Sequence, residues 1–310
     1  MNENRNAVIT DVPVAMEFGE FVETMRERLQ EEYPDCEVKV TPVVKNNDVC
    51  RTGILILPEG RAVSPNIYME GPYEEYLGGS PMEELVSDAV RCYEKNIMEA
   101  DPELPDLTEF DAVKDLICLR LVNRERNREN LKGMPHRDFL DLAVTYFIPI
   151  TLEGTGDGRI TVTDRQFGQW GVGEDTLYRH AFENTRRLFT IRLTSLEELI
   201  WEMTGIRTKE RTDAADMYVL ARGSIGNSTA AVLLDTLVLR EFAEGHGDFY
   251  ILPSSVSEVI LVPAGPGPAD TEYYSGMVRG VNRTSLSPDE ILSDNAYYYH
   301  AGTGEIEVLS

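Results

Sequence analysis

The chain has few of the residues that form most reactive centres. Its 310 residues include four cysteines and four histidines. No two cysteines form a C-x-x-C pair, and the H-E-x-x-H and H-x-H patterns are absent. These absences disfavour a zinc knuckle, a thioredoxin-type site and a helical zinc-protease site. We therefore expect no bound metal, no cofactor, and reduced thiols at Cys36, Cys50, Cys92 and Cys118.

Positive charge and long apolar runs are also scarce. Lys and Arg total 29 against 54 Asp and Glu, for a formal net charge of −25. At long range such a protein repels phosphate backbones and anionic lipid, so direct nucleic-acid binding is disfavoured. No stretch approaches the roughly 18 apolar residues of a membrane span, and residues 1–6 lack the pattern of a secretory signal. We expect a cytoplasmic protein without membrane association.

The pattern of apolar and polar residues divides the chain into a lead-in and two units. Residues 1–13 are polar and predict a flexible lead-in, and residues 14–100 predict a unit of helix, strands and helix. Residues 101–106 are rich in proline and acids and are typical of a linker. Residues 106–310 predict a larger α+β domain. The sequence leaves open whether the two units pack as one body.

The predicted fold class is α+β, with mainly antiparallel sheets flanked by amphipathic helices. In the smaller unit we expect helices over 14–33 and 82–99 and strands over 37–44 and 49–57. In the larger unit we expect strands over 117–122, 139–152 and 230–234, with Pro149 limiting the length of the second.

The most specific pattern lies in residues 248–263. Two short apolar segments, each closed by a proline, surround a serine-rich turn. The connection between Leu252 and Val259 is too short for the crossover that parallel strands require. The pattern therefore predicts an antiparallel hairpin.

Several segments together carry a resemblance that extends over nearly the whole chain. They are Val44–Asn47, Pro65–Tyr68, Pro135–His136, Phe139–Ala143, Trp170–Gly171, Met217–Leu220, Phe249–Ser255, Leu292–Asp294 and Tyr297–Tyr299. In these segments the chain resembles one bacterial family of unknown function, common in anaerobic gut bacteria and often found in mobile elements. The resemblance implies no catalytic residue, because none is assigned in that family.

Ser254 and Ser255 are candidate nucleophiles, because their turn follows directly on an apolar strand segment. A nucleophilic serine needs a base within hydrogen-bond reach. Neither a G-x-S-x-G nor an S-x-x-K spacing accompanies them. The alternative is a turn in which the hydroxyls bind local backbone amides.

His136 and Asp138, with Asp141 nearby, are candidates for a base and its orienting carboxylate, or for metal ligands. A metal site needs a third and a fourth ligand at defined spacing, and the sequence supplies none. The alternative is a structural histidine with a local hydrogen bond.

Residues 120–137 contain the only basic cluster of this acidic sequence. If this segment is helical, Arg120, Arg124 and Arg128 share one face and can bind a phosphate or an acidic partner. Glu125 and Glu129 lie between them and weaken the positive field. The alternative is a solvated face, or arginines that pair with the carboxylates of the chain.

These observations lead to one leading hypothesis and two alternatives. The first is a soluble, non-enzymatic interaction or regulatory protein with a protein partner, associated with a mobile element as the resemblance implies. The second is a hydrolase that uses Ser254 or Ser255 with His136. The third is a polyanion mimic, which requires one continuous acidic face; acids spread over the surface instead favour solubility. The sequence does not indicate an oligomeric state.

Overall fold

The chain forms two compact units. The computed structural model describes residues 15–61, 64–97, 104–152, 156–205, 217–222, 229–265 and 271–309. The smaller unit comprises the described residues within Met1–Val43 and Cys50–Asp101, and the larger those within Val44–Val49 and Pro102–Ser310. The hairpin tip Val44–Val49 therefore belongs by its contacts to the larger unit.

The smaller unit consists of a three-stranded sheet and three helices in its described part. Its elements are α1 (Phe18–Glu32), β1 (Cys36–Val44), β2 (Cys50–Pro58), β3 (Asn66–Tyr68), α2 (Glu70–Leu77) and α3 (Met82–Asn96). The strand order is β1-β2-β3. Pro42 thus lies in an edge strand, where a missing N–H is tolerated. The sequence pattern predicted α1, β1, β2 and α3 to within a few residues.

Helix α2 was not predicted, because Gly71 and Pro72 weaken the helical pattern. Pro72 lies in the first turn, where a missing N–H costs little. The rings of Tyr73 and Tyr76 pack on Phe21 of α1, with centroid distances of 5.2 and 5.3 Å. Aromatic burial in the tertiary structure thus overrides a weak local propensity.

The larger unit contains the remaining elements. Its helices are α4 (Phe110–Val113), α5 (Asp164–Trp170), α6 (Glu174–Leu188), α7 (Leu196–Thr204), α8 (Thr236–His246) and α9 (Thr271–Thr284). Its strands are β4 (Cys118–Asn123), β5 (Arg137–Phe139), β6 (Leu142–Leu152), β7 (Gly156–Thr161), β8 (Ile191–Ser195), β9 (Tyr218–Arg222), β10 (Phe249–Leu252), β11 (Glu258–Pro263), β12 (Ala296–His300) and β13 (Glu305–Leu309). No helix in the described ranges is long and apolar enough to cross a bilayer.

A six-stranded sheet has the order β13-β12-β10-β11-β9-β8. The predicted hairpin of residues 248–263 is confirmed: β10 and β11 are antiparallel, with Phe249 opposite Pro263. The predicted strand over 230–234 is wrong, because these residues belong to a 3-10 helix, Thr229–Leu234. A short apolar run that is buried on all sides has no period that separates strand from helix.

A second sheet is built around the long strand β6. It pairs with β4 on one side and with β5 and β7 on the other, always antiparallel. The predicted limit at Pro149 is wrong, since β6 continues to Leu152. The β4 register ends at Phe147, so beyond that point β6 needs no donor on the β4 side. The α+β class with mainly antiparallel sheets is confirmed.

Both sheets of the larger unit contribute to one apolar core. Leu119 and Leu121 of β4 enter it from one sheet, and Phe249 and Tyr297 enter it from the other. Helices α6 and α8 add Leu177 and further apolar side chains. Burial of this surface, at roughly 25 cal/mol per Å², is the main stabilising contribution. One face of the β4-β6-β7 sheet is thereby committed to the core.

Candidate functional site

The serine-rich turn between β10 and β11 is held by local hydrogen bonds. Ser254 Oγ donates to Glu258 Oε1 at 3.0 Å, and Ser255 Oγ accepts the Ser257 N–H at 3.0 Å. Among the described residues, neither hydroxyl bonds to a histidine. A small cavity of about 40 Å³ beside Ser254 is lined mainly by apolar side chains. The two hydroxyls therefore close the turn.

His136 and its neighbouring carboxylates are engaged separately. The exposed imidazole has its Nδ1 2.8 Å from the carbonyl oxygen of the residue two positions before it. Asp138 pairs with Arg124 at 2.9 Å, and Asp141 accepts a hydrogen bond from the Tyr297 hydroxyl at 2.7 Å. In the part of the chain that the structure describes, no cluster of His, Cys, Asp and Glu is suited to a metal ion. The structure thus does not bring the candidate serines, His136 and Asp138 together.

The basic cluster divides into two groups. Arg120 lies on β4, whereas Arg124, Arg126 and Arg128 lie in the turns that follow this strand. The helical face expected from their spacing therefore does not form. Each arginine of the turns has a carboxylate partner: Arg124 pairs with Asp138, Arg126 with Asp294 and Arg128 with Glu125. Arg120 has no such partner among the described residues.

Arg120 lies on the face of its sheet that is turned away from the core. Side chains alternate along a strand, so Leu119 and Leu121 enter the core and Arg120 takes the opposite face. Across the sheet its register partner on β6 is Thr145. On β7, Thr161 and Arg159 lie on the same face, opposite Phe147 and Pro149 of β6. This face therefore carries two arginines and two threonines.

This face forms one wall of a cavity of about 160 Å³, which we call the arginine cavity. An engineered cavity of about 150 Å³ is large enough to admit benzene. The lining contains Val44, Lys45, Asn46, Arg120, Val122, Asn127, Asn130, Leu131, Met134, Thr145, Tyr146, Phe147, Arg159 and Thr161. Its described residues include three cationic side chains and no Asp, Glu, His or Cys.

The tip of the β1–β2 hairpin supplies another wall of the arginine cavity. Asn47 adopts a left-handed φ of 61°, which asparagine tolerates. Its N–H donates to Asn127 Oδ1 at 2.7 Å, and Asn130 Nδ2 donates to the Lys45 carbonyl oxygen at 3.0 Å. Side-chain amides thus fix Lys45 and Asn46 at the cavity. The asparagines of the turn and of the arginine-rich segment supply the amide groups that form these hydrogen bonds.

Arg120 is a partly buried cation. Its Nε is buried and has no hydrogen-bond partner. Burial and the neighbouring Arg159 lower the pKa of Arg120 to about 9, and the Asp289 carboxylate partly opposes this effect. Asn46 Oδ1, in the same lining, is likewise buried without a partner. Both atoms have lost water without gaining a protein partner.

Arg159 lies at the mouth of the arginine cavity. Its side chain remains exposed, yet the protein around it lowers the pKa of its guanidinium through desolvation, which the Asp289 carboxylate partly opposes. Asp289 is held near both arginines by its main chain, since its carbonyl oxygen accepts from Asn46 Nδ2 at 2.8 Å. Asp289 forms no ion pair with either arginine in the described residues.

The arginine cavity is suited to binding an anion. A guanidinium presents a planar fork of donors that matches carboxylate and phosphate oxygens. An anion between Arg120 and Arg159 replaces the water they have lost and screens their repulsion. Two threonine hydroxyls lie on the same wall, but in the part of the lining that the structure describes no imidazole, thiol or carboxylate is available to activate them.

Sequence reasoning named Arg120 but missed Arg159 and Lys45. The sequence signal for Arg120 was the alternation of apolar and polar residues along β4. It places Arg120 on the sheet face opposite to the one that carries two core leucines. Arg159 could have been found by pairing its strand with β6 as a hairpin. Lys45 reaches the cavity through contacts distant in sequence, and no local pattern indicates this.

Comparison with known proteins gives one informative result. No curated protein and no solved structure matches the chain. A family model, described as a family of unknown function (DUF5688), matches residues 18–301 and so extends over nearly the whole chain. This confirms the resemblance to a family of unknown function. The chain belongs to the DUF5688 family.

Proposed function

We propose that this protein is a non-enzymatic binding protein, which recognises a ligand or partner through an anionic group held in the arginine cavity. Arg120 carries the proposal. A desolvated polar atom without a partner lowers stability, by about 1–3 kcal/mol or more when it is charged, and the Nε of Arg120 is such an atom. The sequence has 54 acidic residues from which a partner could have been drawn. A counter-charge that arrives with a ligand accounts for the absence of an ion-pair partner of Arg120 among the described residues.

The dispersion of reactive side chains supports a binding role over a hydrolytic one. Ser254 donates to Glu258 and not to an imidazole, and exposed His136 bonds to the main chain. The described lining of the arginine cavity contains cations, amides and hydroxyls, which bind anions, but no ordinary general base. This inventory fits recognition without covalent chemistry.

The acidic surface supports a role in solubility over polyanion mimicry. Exposed carboxylates are repeatedly paired with neighbouring cations, as in Glu23 with Arg26 and Asp111 with Lys114. Such pairs interrupt an acidic face. The excess of carboxylates still repels anions at long range, so recognition must come from contacts inside the arginine cavity. The free thiols of Cys36 and Cys92 fit a cytoplasmic location.

A thermal-shift panel tests this proposal. Both tryptophans lie in the larger unit, so tryptophan fluorescence reports its unfolding. A ligand that binds the folded state raises the unfolding midpoint by mass action. We expect at least one of phosphate, sulfate, acetate and citrate, at about 10 mM, to raise the midpoint of the wild type.

The matched variants locate the effect. Arg120→Gln with Arg159→Gln should abolish the shift, whereas Arg124→Gln with Arg128→Gln should retain it, because those two side chains already have carboxylate partners. Both double variants lose the same formal charge. A shift that is absent in the wild type, or lost equally in both variants, would contradict the proposal.

A further inference from the structure

We propose that the anion recognised in the arginine cavity is the carboxylate of a small apolar organic acid, whose body is a branched aliphatic chain or an aromatic ring up to about the size of benzene. This inference rests on the proposed function and names the class of ligand. A bare inorganic anion is the main alternative, because guanidinium groups bind both phosphate and carboxylate oxygens.

Apolar side chains flank Arg120 on the cavity face of its sheet. Side chains alternate along a strand, so the residues of β4 that share this face with Arg120 are Cys118 and Val122. Val122 belongs to a small apolar cluster with Leu131. Cys118 belongs to another with Phe147 of β6. The strand thus carries an apolar cluster on either side of its arginine.

Three members of these clusters line the arginine cavity. They are Val122, Leu131 and Phe147, and all three are buried. Met134 adds a half-buried apolar side chain to the lining. The cavity therefore combines a few cationic groups with apolar walls, which is typical of pockets that bind small organic molecules.

Most of the other polar side chains of the lining are already engaged within the protein. Asn127 both donates to and accepts from Asn47, and Asn130 Nδ2 donates to a main-chain carbonyl oxygen of the hairpin tip. Thr145 Oγ1 donates to a carbonyl oxygen of β4 at 3.4 Å, and Lys45 has an interaction of its own. Among the described residues, a ligand therefore meets chiefly the two guanidinium groups and the apolar side chains.

Such a lining discriminates against a bare inorganic anion. Phosphate and sulfate expose oxygen atoms on all sides, and those that face Val122, Leu131 or Phe147 lose water without gaining a donor. A carboxylate has both oxygens at one end, where one guanidinium fork binds them. The rest of an organic acid is then free to contact the apolar walls.

The volume of the cavity sets the size of the ligand. It measures about 160 Å³, and an engineered apolar cavity of about 150 Å³ accommodates benzene. Arg159 is exposed at the mouth, where a ligand can enter. Benzoate is therefore close to the largest acid that the cavity holds.

Isothermal titration of the intact chain with a series of acids tests the inference. The probes are acetate, propionate, butyrate, 3-methylbutyrate and benzoate, which carry the same charge and differ in apolar surface. Benzamide, a neutral molecule of nearly the same shape as benzoate, tests the need for the charge. Phosphate and sulfate are the bare anions. At pH 7.5 all the carboxylic acids are ionised.

We expect the affinity to rise by up to about fourfold for each methylene that is added to acetate, because each buries apolar surface. Benzoate should bind at least about tenfold more tightly than acetate, phosphate or sulfate. Benzamide should bind at least about tenfold more weakly than benzoate, because it lacks the charge that pairs with a guanidinium.

Substitutions separate the apolar contribution from the cationic one. Met134→Gln should lower the ratio of benzoate to acetate affinity at least about threefold and leave acetate binding within about twofold. Arg120→Gln should weaken binding of every carboxylate at least about tenfold. Arg159 is exposed, so Arg159→Gln remains informative if Arg120→Gln does not fold. Leu237→Gln, at an exposed apolar side chain of α8, is the control and should change neither quantity.

The outcomes separate the inference from the proposed function. Equal affinity for all the carboxylates, lost in Arg120→Gln, overturns the apolar acid and leaves anion recognition intact. Phosphate or sulfate that binds more tightly than benzoate, and depends on Arg120, has the same consequence. Benzamide that binds as tightly as benzoate contradicts both, because the charge is then not recognised. The absence of binding by every probe also overturns both.

Discussion

The arginines of β4 and β7 differ from those of the turns after β4 in their ion pairing and in the desolvation that lowers the pKa of their guanidinium groups. Arg120 and Arg159 are desolvated, and neither has a carboxylate at ion-pair distance among the described residues. Arg124 and Arg128 are exposed, and each has an acidic partner. Arg126 lies between these extremes, paired with Asp294 at 2.7 Å.

This difference shows which charged residues can indicate a binding function and which cannot. An exposed ion pair gains little, because water and salt screen it. A buried guanidinium without a counter-ion lowers stability, so its presence needs another reason. Sites that bind ligands commonly retain such unfavourable groups at the expense of stability. On this criterion the strand arginines, and not the basic turn, are the residues that we propose to bind a ligand.

The largest expected effect sharpens the contrast between the two faces of β4. Leu121 is fully buried in the core beside Arg120 in sequence. Leu121→Ala should lower the free energy of unfolding of the larger unit by about 2–5 kcal/mol, through lost burial and a new cavity. Urea unfolding followed by tryptophan fluorescence measures it. Thr161→Ala, on the opposite face of the sheet, is the control and should cost far less. Equal losses would show that the arginine face also carries the core.

The next expected effect is an increase in the free energy of unfolding, and its absence would contradict the contrast between Arg120 and the paired arginines. Arg120→Met replaces a partly buried cation, whose Nε has no partner, by an apolar side chain of similar length. Without ligand it should raise the free energy of unfolding by about 1–3 kcal/mol, because the desolvation cost is removed. The same urea experiment in anion-free buffer measures it. A loss of stability comparable to that of Leu121→Ala would show that Arg120 is paired within the protein and would remove the basis for the arginine cavity.

A smaller effect, which depends on pH, concerns the ion pair of Arg126 and Asp294. Burial raises the pKa of Asp294, but hydrogen bonds from Arg126 and Asn282 outweigh it, so the pKa is lowered overall. A lowered folded-state pKa stabilises the protein above the unfolded value of about 3.9 and ceases to do so as pH falls through the folded-state value. The carboxylate is 45% exposed, which limits the contribution to about 1 kcal/mol or less.

Asp294→Asn should therefore destabilise the protein at pH 7 and lose most of this difference below about pH 4. Urea unfolding of the variant and the wild type at pH 7, 5 and 3.5 measures the difference. Glu125→Gln, an exposed carboxylate of the same segment, is the control. A difference that stays constant down to pH 3.5 would show that the Asp294 charge is not the cause.

The smallest effect tests the exposed end of the comparison. Arg128 and its partner Glu125 are both largely exposed. Arg128→Gln should shift the thermal unfolding midpoint by less than about 1 °C, because an exposed pair of this kind contributes almost nothing. Differential scanning calorimetry at low and high salt measures it. A larger shift that vanishes in salt would give this surface pair an unexpected electrostatic role.

The elements with strong periodicity were predictable from the sequence. Helices α1 and α3 and strand β4 agree closely with their apolar patterns, and the hairpin β10–β11 follows from its short connection. The failures share a cause. Helix α2 depends on packing of Tyr73 and Tyr76, and the run 230–234 is buried on all sides and has no period. Contacts distant in sequence decided both.

For the candidate site, the sequence supplied Arg120 as a residue but not its environment. Read as a helix, the basic segment places Arg120 with Arg124 and Arg128; in the strand it lies with Thr145 and Arg159. Asp138 and His136 adjoin in sequence, yet each binds a different neighbour. Residues close together in the sequence therefore did not form a common site.

By itself the sequence determined the α+β class, the family, the excess of carboxylates and the lack of a metal or nucleophile motif, because these depend on composition, period and local spacing. Only the tertiary structure decided which cations lose their water. Desolvation depends on the elements that surround a side chain, and at the arginine cavity these are β4, β6, β7 and a hairpin tip that lie far apart in the chain.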